Sequence, residues 1–288
     1  MVVRRTLPHR DLRTIGAWCF LDDYGPRAID GTPGMQVPPH PHTGLQTVTW
    51  LLDGEVHHQD SLGSDALVRP GALNLMTAGR GISHAETSPV GATGTLRGLQ
   101  LWVALPARDR DAAPAFAHHA SLPRVEGDGI DVTVLLGAVA GAASPATVFT
   151  PIVGAEVVLA PGARSALPLE SGFEHGLLAL SDGLTVDGEP LDRASLEHLA
   201  PGLRQVVLGA GPDGGRLLLL GGEPFDEGLL MWWNFVARSH EEVVEAREEW
   251  TAAVGGAATR FGQVTGYDGP SLPAPALPTS RLRPRPSR

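Results

Sequence analysis

Cysteine and lysine are the residues that this sequence most conspicuously lacks. Only one cysteine, Cys19, occurs in 288 residues, so the chain can form neither an internal disulfide nor a zinc site built from several thiolates. Its apolar neighbours predict that Cys19 is buried and unreactive. The 22 basic residues are all arginines. The absence of lysine excludes a phosphate-binding loop ending in Gly-Lys-Ser/Thr, a pyridoxal Schiff base and a lysine nucleophile.

The sequence also lacks long apolar runs and an overall positive charge. No stretch approaches the roughly 18 consecutive apolar residues of a membrane helix, and the polar start lacks a signal-peptide pattern. The formal net charge is −10, and the last ten residues hold four arginines and no acids, which leaves the preceding body at −14. This negative charge opposes direct binding to nucleic-acid phosphates. We therefore expect a cytoplasmic protein with neither a membrane nor a nucleic acid as direct partner.

Turn-forming residues, by contrast, are abundant. The chain has 36 glycines and 25 prolines, and 42% of its residues are hydrophobic, a balance that favours short strands joined by tight turns. Between residues 45 and 101, short apolar or alternating runs are separated by turn sequences such as Asp-Gly and Arg-Pro-Gly, and a similar rhythm returns after residue 155. The sequence therefore predicts an all-β protein with a weak internal duplication.

The predicted domain boundary lies in the Ala/Gly-rich stretch 137–146, because its small side chains offer little to a core. This places an N-terminal domain at residues 1–137 and a C-terminal domain at residues 138–278. Prolines exclude a helix or a central strand beyond residue 268. We expect residues 268–278 to pack in extended form and the arginine-rich residues 279–288 to be disordered.

One helix is predicted near the end of the C-terminal domain, over residues 239–253. Ser239 and Glu242 form a Ser-x-x-Glu capping box at its start. Val243, Ala246 and Trp250 then recur on one helical face, while the other face is acidic. The apolar face should therefore pack on the core and the acidic face should meet water.

Four of the eleven histidines lie between residues 37 and 64. His40 and His42 flank a proline, which favours an extended backbone for the residue before it. Side chains two apart on an extended chain point to the same face, so these two imidazoles can converge on one point. The adjacent His57 and His58 should point to opposite faces. We interpret them as ordinary strand residues, although one of them could face the pocket as a proton carrier.

A second pair of potential ligands follows 42 residues after His42. His84 and Glu86 repeat the same spacing beyond a stretch that is typical of two hairpins. Two extended segments, each offering two ligand-type side chains to one face, can supply three imidazoles and one carboxylate. Such a set leaves positions open on a metal ion and suits Fe(II), Mn(II), Ni(II) or Cu(II), whereas structural zinc sites usually use thiolates.

These motifs resemble the pirin family of the cupin superfamily, and the resemblance extends over nearly the whole chain. Its segments are FLDDYGP at residues 20–26, PPHPHTGLQTVTWLLDGEVHHQDSLGS at 38–64, VRPGALNLMTAGRGISHAE at 68–86, LLLLGGEP at 217–224 and WWNFVARSHEEVVEAREEW at 232–250. The resemblance implies a bicupin, in which two antiparallel, jelly-roll-like β-barrels lie face to face and only the N-terminal one binds metal.

The family's metal ligands correspond to His40, His42, His84 and Glu86 of this chain. The resemblance implies one divalent metal ion at these residues, iron being the family's usual metal and Mn, Ni, Cu or Zn the alternatives. Many relatives have a glutamate where this chain has Gln46. We expect that difference to alter hydrogen bonding around the metal rather than to abolish binding.

In the C-terminal half, Glu174 and His175 stand where a second metal motif would be expected. They are adjacent, and no further pair of ligand-type residues follows them. A metal site would need more donors. We therefore expect the C-terminal barrel to have a structural role.

Some members of this family cleave flavonols such as quercetin with O2. The resemblance therefore implies a metal-dependent dioxygenase acting on flavonols or related enolic aromatic substrates, with Glu86 as the proton acceptor. The alternative is a regulatory protein whose metal redox state tunes its binding to a transcription factor or a metabolic enzyme. A cupin without metal function is disfavoured because all four ligands are present. We expect the chain to act as a monomer.

Overall fold

A computed structural model describes residues 1–193 and 195–287 of the chain, which form 23 strands and one α-helix. The prediction of an all-β protein with one late helix is confirmed. The elements, in chain order, are β1 (Val3–Leu7), β2 (Trp18–Ala28), β3 (Gln36–His42), β4 (Leu45–Asp53), β5 (Val56–Asp60), β6 (Asp65–Val68), β7 (Leu73–Thr77), β8 (Ile82–Thr87), β9 (Thr95–Ala104), β10 (Ala115–His119), β11 (Arg124–Gly127), β12 (Ile130–Val139), β13 (Ala142–Ala143), β14 (Ile152–Leu159), β15 (Arg164–Pro168), β16 (Glu174–Ala179), β17 (Leu184–Val186), β18 (Glu189–Pro190), β19 (Leu196–Leu199), β20 (Gln205–Ala210), β21 (Gly215–Gly222), β22 (Leu230–Trp232), β23 (Phe235–Ala237) and α1 (His240–Val254).

The chain divides into two compact units, each discontinuous in sequence. The first unit comprises residues 1–5, residues 20–120 and the chain from Asp226 onward, and the second comprises residues 6–19 and 121–225. The division differs from the predicted boundary at residue 137, because β12 runs through that point and pairs with β14. The Ala/Gly-rich stretch forms the β12–β13 hairpin within the second unit. The predicted division also put the helix in the C-terminal domain, whereas α1 belongs to the first unit.

The first unit contains a six-stranded sheet in the order β1-β2-β9-β4-β7-β10 and a four-stranded sheet in the order β3-β8-β5-β6. All but one residue of β4 are buried, which explains why its sequence is apolar or threonine-rich on both faces. The sheets form an open, jelly-roll-like arrangement rather than a closed barrel. The small four-stranded sheet carries the histidine motifs.

The second unit repeats this design with different side chains. A sheet in the order β11-β12-β14-β21-β16-β19, with β13 paired to β12, accompanies a four-stranded sheet in the order β15-β20-β17-β18. Its core is made almost wholly of leucine, valine and alanine, including Leu177, Leu208 and Leu219. Each fully buried leucine or valine contributes about 1.5–3 kcal/mol of transfer free energy, so this unit can be stable without a bound ion.

Helix α1 begins as its sequence predicts. The side chain of Ser239 accepts a hydrogen bond from the Glu242 backbone N–H, and Val243, Ala246 and Trp250 are buried. Trp250 packs edge-on against Phe261 and donates its indole N–H to the Leu272 carbonyl, 2.9 Å away. The helix thereby anchors the extended segment after residue 268, whose packing was predicted. None of the described helices is long and apolar enough to cross a membrane.

The expectation of disorder after residue 279 is wrong for the described part of this segment. Leu229 and Arg285 exchange two backbone hydrogen bonds of 2.9 and 2.8 Å. Leu282 packs against a cluster that includes Val243, and Arg281 donates to Glu241 over 2.8 Å. A proline-rich segment can be ordered in this way when its few donors and its one leucine find partners on a neighbouring surface.

Candidate metal centre

Strand register brings the predicted ligands together. In the four-stranded sheet, His40 of β3 lies opposite His84 of β8, which lies opposite Asp60 of β5. In the next row, Glu86 lies opposite His58. Because cross-strand partners point to the same face of a sheet, these side chains form a single patch.

A β-bulge in β3 sets this register. Val37 pairs with Glu86 and His40 pairs with His84, so three residues of β3 match two of β8. The two residues between Val37 and His40 are prolines, which have no N–H to donate to the ladder and are compatible with a bulge. The extra residue places His40, rather than the preceding proline, opposite His84.

Three of the predicted ligands form a tight, buried cluster. Ring nitrogens of His40, His42 and His84 lie within 4.8 Å of one another. The Nε2 atoms of His42 and His84 are 3.1 Å apart. At most 6% of each residue is exposed, so water contributes little to the surroundings of these nitrogens.

Hydrogen bonds to the backbone assign the tautomers of the two β3 histidines. His40 Nδ1 lies 2.9 Å from the Pro38 carbonyl oxygen, and His42 Nδ1 lies 3.1 Å from that of Asn234. Since a carbonyl oxygen only accepts, each Nδ1 carries the hydrogen and donates it. Each Nε2 of a neutral ring therefore keeps its lone pair.

A buried relay contacts the outer nitrogen of His84. Its Nδ1 is 3.3 Å from His58 Nδ1, and His58 Nε2 is 3.1 Å from Asp60 Oδ2. Burial by itself raises the pKa of Asp60, but hydrogen bonds from His58 and Ser64 outweigh it, and the net pKa is lowered. The Asp60 carboxylate thus accepts from His58 Nε2–H. In the tautomer that can bind a metal, His84 donates its Nδ1–H to His58 Nδ1 and keeps the lone pair on Nε2. In the other tautomer, His84 Nε2–H donates to His42 Nε2, 3.1 Å away.

These assignments make the site fit a divalent cation. Three imidazoles of one buried cluster can each turn an Nε2 lone pair towards a shared ion, and the Nε2 atoms of His42 and His84 are only 3.1 Å apart. Burial lowers the pKa of His40 to about 4 and those of His42 and His84 well below their usual value. The three rings therefore carry no positive charge at neutral pH. Neutral imidazoles oriented by outside acceptors are the usual ligands of transition metals.

Glu86 lies beside this cluster, two residues after His84 on β8. Its carboxylate lies within 4.8 Å of ligand atoms of His58 and His84, which form a second group able to hold an ion. The Thr49 hydroxyl donates to Glu86 Oε1 over 3.0 Å. Burial raises the pKa of Glu86, although His58 and the Thr49 hydrogen bond partly offset this effect. The carboxylate can thus act as a ligand or as a proton acceptor.

Aromatic rings enclose the centre on two sides. Trp102 meets His42 edge-on at 5.2 Å between ring centroids and stacks on Phe20 at 4.1 Å. Phe116 stacks on His58 at 4.3 Å with an interplanar angle of 13°. These rings pack against the imidazoles and hold them in place.

The two adjacent histidines of β5 point to opposite faces, as strand alternation predicts. His57 points outward and its Nε2 lies 2.6 Å from Asp65 Oδ1. His58 is buried and contacts His84, so it is not an ordinary strand residue but agrees with the alternative that one histidine of this pair faces the site. The sequence contains a signal that could have identified it, because His58 and Asp60 repeat the i, i+2 spacing of the other two ligand pairs.

Gln46 lies away from the metal centre. Its Nε2 donates to the hydroxyl of Thr77, its cross-strand partner, over 2.9 Å. Register along β4 is regular from Gln46 to Trp50, so Gln46 and Thr49 occupy opposite faces. Thr49 is the residue that contacts Glu86. The expected change in hydrogen bonding around the metal therefore has no direct route through this amide.

In the second unit, Glu174 and His175 also point to opposite faces of their strand. Glu174 accepts a 2.8 Å hydrogen bond from the Gly16 N–H and lies 3.2 Å from His198 Nε2. His175 faces the interior of its unit together with Leu177. Both groups of potential metal ligands among the described residues belong to the first unit.

Comparisons with known proteins agree with this architecture. Residues 1–103 match the family model described as Pirin, and residues 154–255 match that of the Pirin C-terminal cupin domain. A Pseudomonas aeruginosa protein provisionally named quercetin 2,3-dioxygenase is 45% identical, with 96% of this chain and 86% of that protein covered. A crystal structure of quercetin 2,3-dioxygenase from Acinetobacter baumannii is 44% identical with a TM-score of 0.92, covering 98% of this chain and 92% of its own.

A more distant structure shares the fold. The bacterial pirin YhhW of Escherichia coli, in complex with nickel(II), is 21% identical with a TM-score of 0.61, covering 77% of this chain and 91% of its own. The two family matches and the 45% identity extend over both units. The chain therefore belongs to the pirin family, with the two-domain cupin fold that its sequence motifs implied.

Proposed function

We propose that this protein is a metal-dependent dioxygenase for flavonols or related enolic aromatic compounds. The observation that carries the proposal is the set of three imidazoles that can each turn an Nε2 lone pair towards a shared ion. The names of the two relatives at 44–45% identity support the substrate class. His40, His42 and His84 would hold the ion, and Glu86 would complete the site.

Fe(II) is our choice of metal. Imidazoles with a carboxylate and open positions are the ligand set of non-haem Fe(II) oxygenases, whereas thiolates characterise structural zinc. When bound, the ion would act as a Lewis acid on substrate oxygens and as the redox partner for O2. Nickel, manganese, copper and zinc remain as competitors in the metal analysis.

The protein's own residues would prepare the substrate. Glu86, whose pKa burial raises, is suited to accept the proton of an enolic hydroxyl. Thr49 holds this carboxylate in place through its hydroxyl. Trp102 offers an apolar edge beside His42, against which a flat substrate ring can pack. The low exposure of the histidines keeps water from competing for the reacting atoms.

The decisive experiment is anaerobic reconstitution with Fe(II), followed by metal quantification and O2 uptake with a panel of flavonols. We expect one metal per chain and flavonol-dependent uptake in the wild type. His42→Ala should lose both, whereas the outward-facing His57→Ala should lose neither. Mass spectrometry of the product from ¹⁸O2 should show both oxygen atoms incorporated.

Two results would contradict different parts of the proposal. Full metal loading without O2 uptake would overturn the dioxygenase assignment and favour a metal-dependent regulatory protein that binds another protein. Unchanged metal content in His84→Ala would show that the ligand assignment is wrong. The metal that co-purifies with the unreconstituted protein would test the choice of Fe(II).

A further inference from the structure

The second unit contains a pocket of about 190 Å³ beside His175. Most of its lining side chains are apolar, among them Val139, Val153, Leu169 and Leu219, and polar atoms also face it. The carboxylate of Glu170 is the charged group among the lining residues. Val153, Leu169 and Leu219 are buried. The pocket therefore opens into the apolar interior of this unit.

His175 is the buried polar side chain of this pocket. Only 1% of the residue is exposed, and its Nδ1 has no hydrogen-bond partner within the part of the chain that the structure describes. An unpaired buried polar group costs about 1–3 kcal/mol. Burial lowers the pKa of His175 to about 4, against the opposing effect of Glu170 and Glu174, so the ring is neutral at pH 7.

The surrounding strands make room for this ring. His175 occupies the face of β16 that Leu177 and Ala179 use for the core, where another leucine would complete the apolar packing. Its cross-strand partner is Gly221. A Cβ at Gly221 would lie 2.6 Å from His175 Cδ2, so even alanine would displace the ring. A histidine and a glycine thus stand where the core pattern predicts two apolar side chains.

The shape and chemistry of the pocket indicate its ligand. An apolar cavity of about 150 Å³ holds benzene, so this pocket accommodates one aromatic ring with a small substituent. An anion would approach the Glu170 carboxylate and find a neutral imidazole, which disfavours a negatively charged ligand. A hydroxyl group, however, can donate a hydrogen bond to an imidazole nitrogen.

We propose that the second unit binds a small, neutral, monocyclic phenol, with its ring between Val139, Val153 and Leu219 and its hydroxyl on His175. This site uses none of the residues of the proposed metal centre and does not rest on the dioxygenase assignment. It gives the second unit a binding role in place of the purely structural one that its sequence predicted.

The test uses full-length protein with phenol and benzene as probes, followed by NMR of the histidine ring protons. Wild type should bind phenol saturably, roughly five- to tenfold more tightly than benzene, as expected for one hydrogen bond. The ring resonance that disappears in His175→Leu should be the one that phenol shifts. In His175→Leu, the preference for phenol over benzene should vanish.

Three further variants keep the test decisive. Val139→Trp leaves His175 in place but fills the pocket, and should weaken both probes at least tenfold. His9→Gln alters an exposed histidine of the same unit and should change neither affinity. His84→Ala should retain phenol binding, which separates this site from the metal centre.

The proposal fails if wild type shows no saturable phenol binding or if Val139→Trp binds both probes as wild type does. It also fails if His84→Ala abolishes binding while His175→Leu preserves the preference for phenol, because the ligand would then lie at the metal centre. Loss of O2 uptake in any of these proteins bears only on the dioxygenase proposal.

Discussion

Replacement of His58 by phenylalanine tests whether the buried relay controls the metal centre. Phenylalanine retains a ring that can stack on Phe116, which now lies 4.3 Å from the His58 ring. It removes the Nδ1 acceptor 3.3 Å from His84 Nδ1. Asp60 keeps the backbone N–H groups of Leu62 and Ser64 as donors to Oδ1, while Oδ2 loses the donor that His58 provides.

The expected effect falls on the metal-bound state. Without metal, His84 can move its hydrogen to Nε2 and donate it to His42 Nε2, 3.1 Å away. A metal requires the Nε2 lone pair, which forces the hydrogen back to an unpaired, buried Nδ1. That penalty of about 1–3 kcal/mol corresponds to metal binding weakened roughly 5- to 100-fold, at about 1.4 kcal/mol per tenfold. Loss of a partner that orients a metal-binding histidine typically has this size.

The assay is competition for Fe(II) against a chelator of known affinity under anaerobic conditions. His57→Phe is the matched control, because His57 points away from the site and pairs with Asp65, and it should bind metal as wild type does. His58→Gln should recover most of the loss, since its amide oxygen can accept from His84. Wild-type affinity in His58→Phe, with a native circular dichroism spectrum, would refute the relay.

Three other predictions concern neighbouring features of the molecule. Gln46→Glu should change metal affinity by less than about threefold, measured in the same competition assay, because Gln46 points away from Thr49; a tenfold change would show a coupling that the strand geometry does not provide. His175 is kept neutral when folded, with a pKa of about 4 against 6.5 unfolded, so its contribution is present above pH 6.5 and is lost as pH falls towards 4. Over this pH range, the free energy of unfolding of wild type should drop by up to about 2 kcal/mol relative to that of His175→Leu. The full difference between the two pKa values would give roughly 3 kcal/mol, and partial solvation of the pocket reduces this amount. Urea denaturation that shows no such drop would contradict the prediction. Ser239→Ala removes the cap on the Glu242 N–H and should cost about 1 kcal/mol of stability, while Ser239→Asp should restore it; equal denaturation midpoints for all three proteins would contradict the capping role.

Local patterns in the sequence predicted the all-β class, the one helix and the pairing of the candidate ligands. Alternation on an extended chain put His40 with His42 and His84 with Glu86, and the structure brings them to neighbouring strands of one sheet. The capping residue Ser239 and the spacing of Val243 predicted the helix for the same reason. Such inferences succeed because the direction of a side chain depends on the backbone conformation of its own few residues.

Pairings between distant parts of the chain needed the tertiary structure. The role of His58 depends on the register of β5 against β8, which sets it opposite Glu86 and next to His84, and no local pattern specifies that register. The acceptor for His42 is the carbonyl of Asn234, 192 residues away. The packing of Leu282 likewise depends on a surface provided by β22, β23 and α1. Sequence alone determined which residues we propose as metal ligands, whereas long-range strand pairing decided which partners their ring nitrogens meet, because those partners lie far away along the chain.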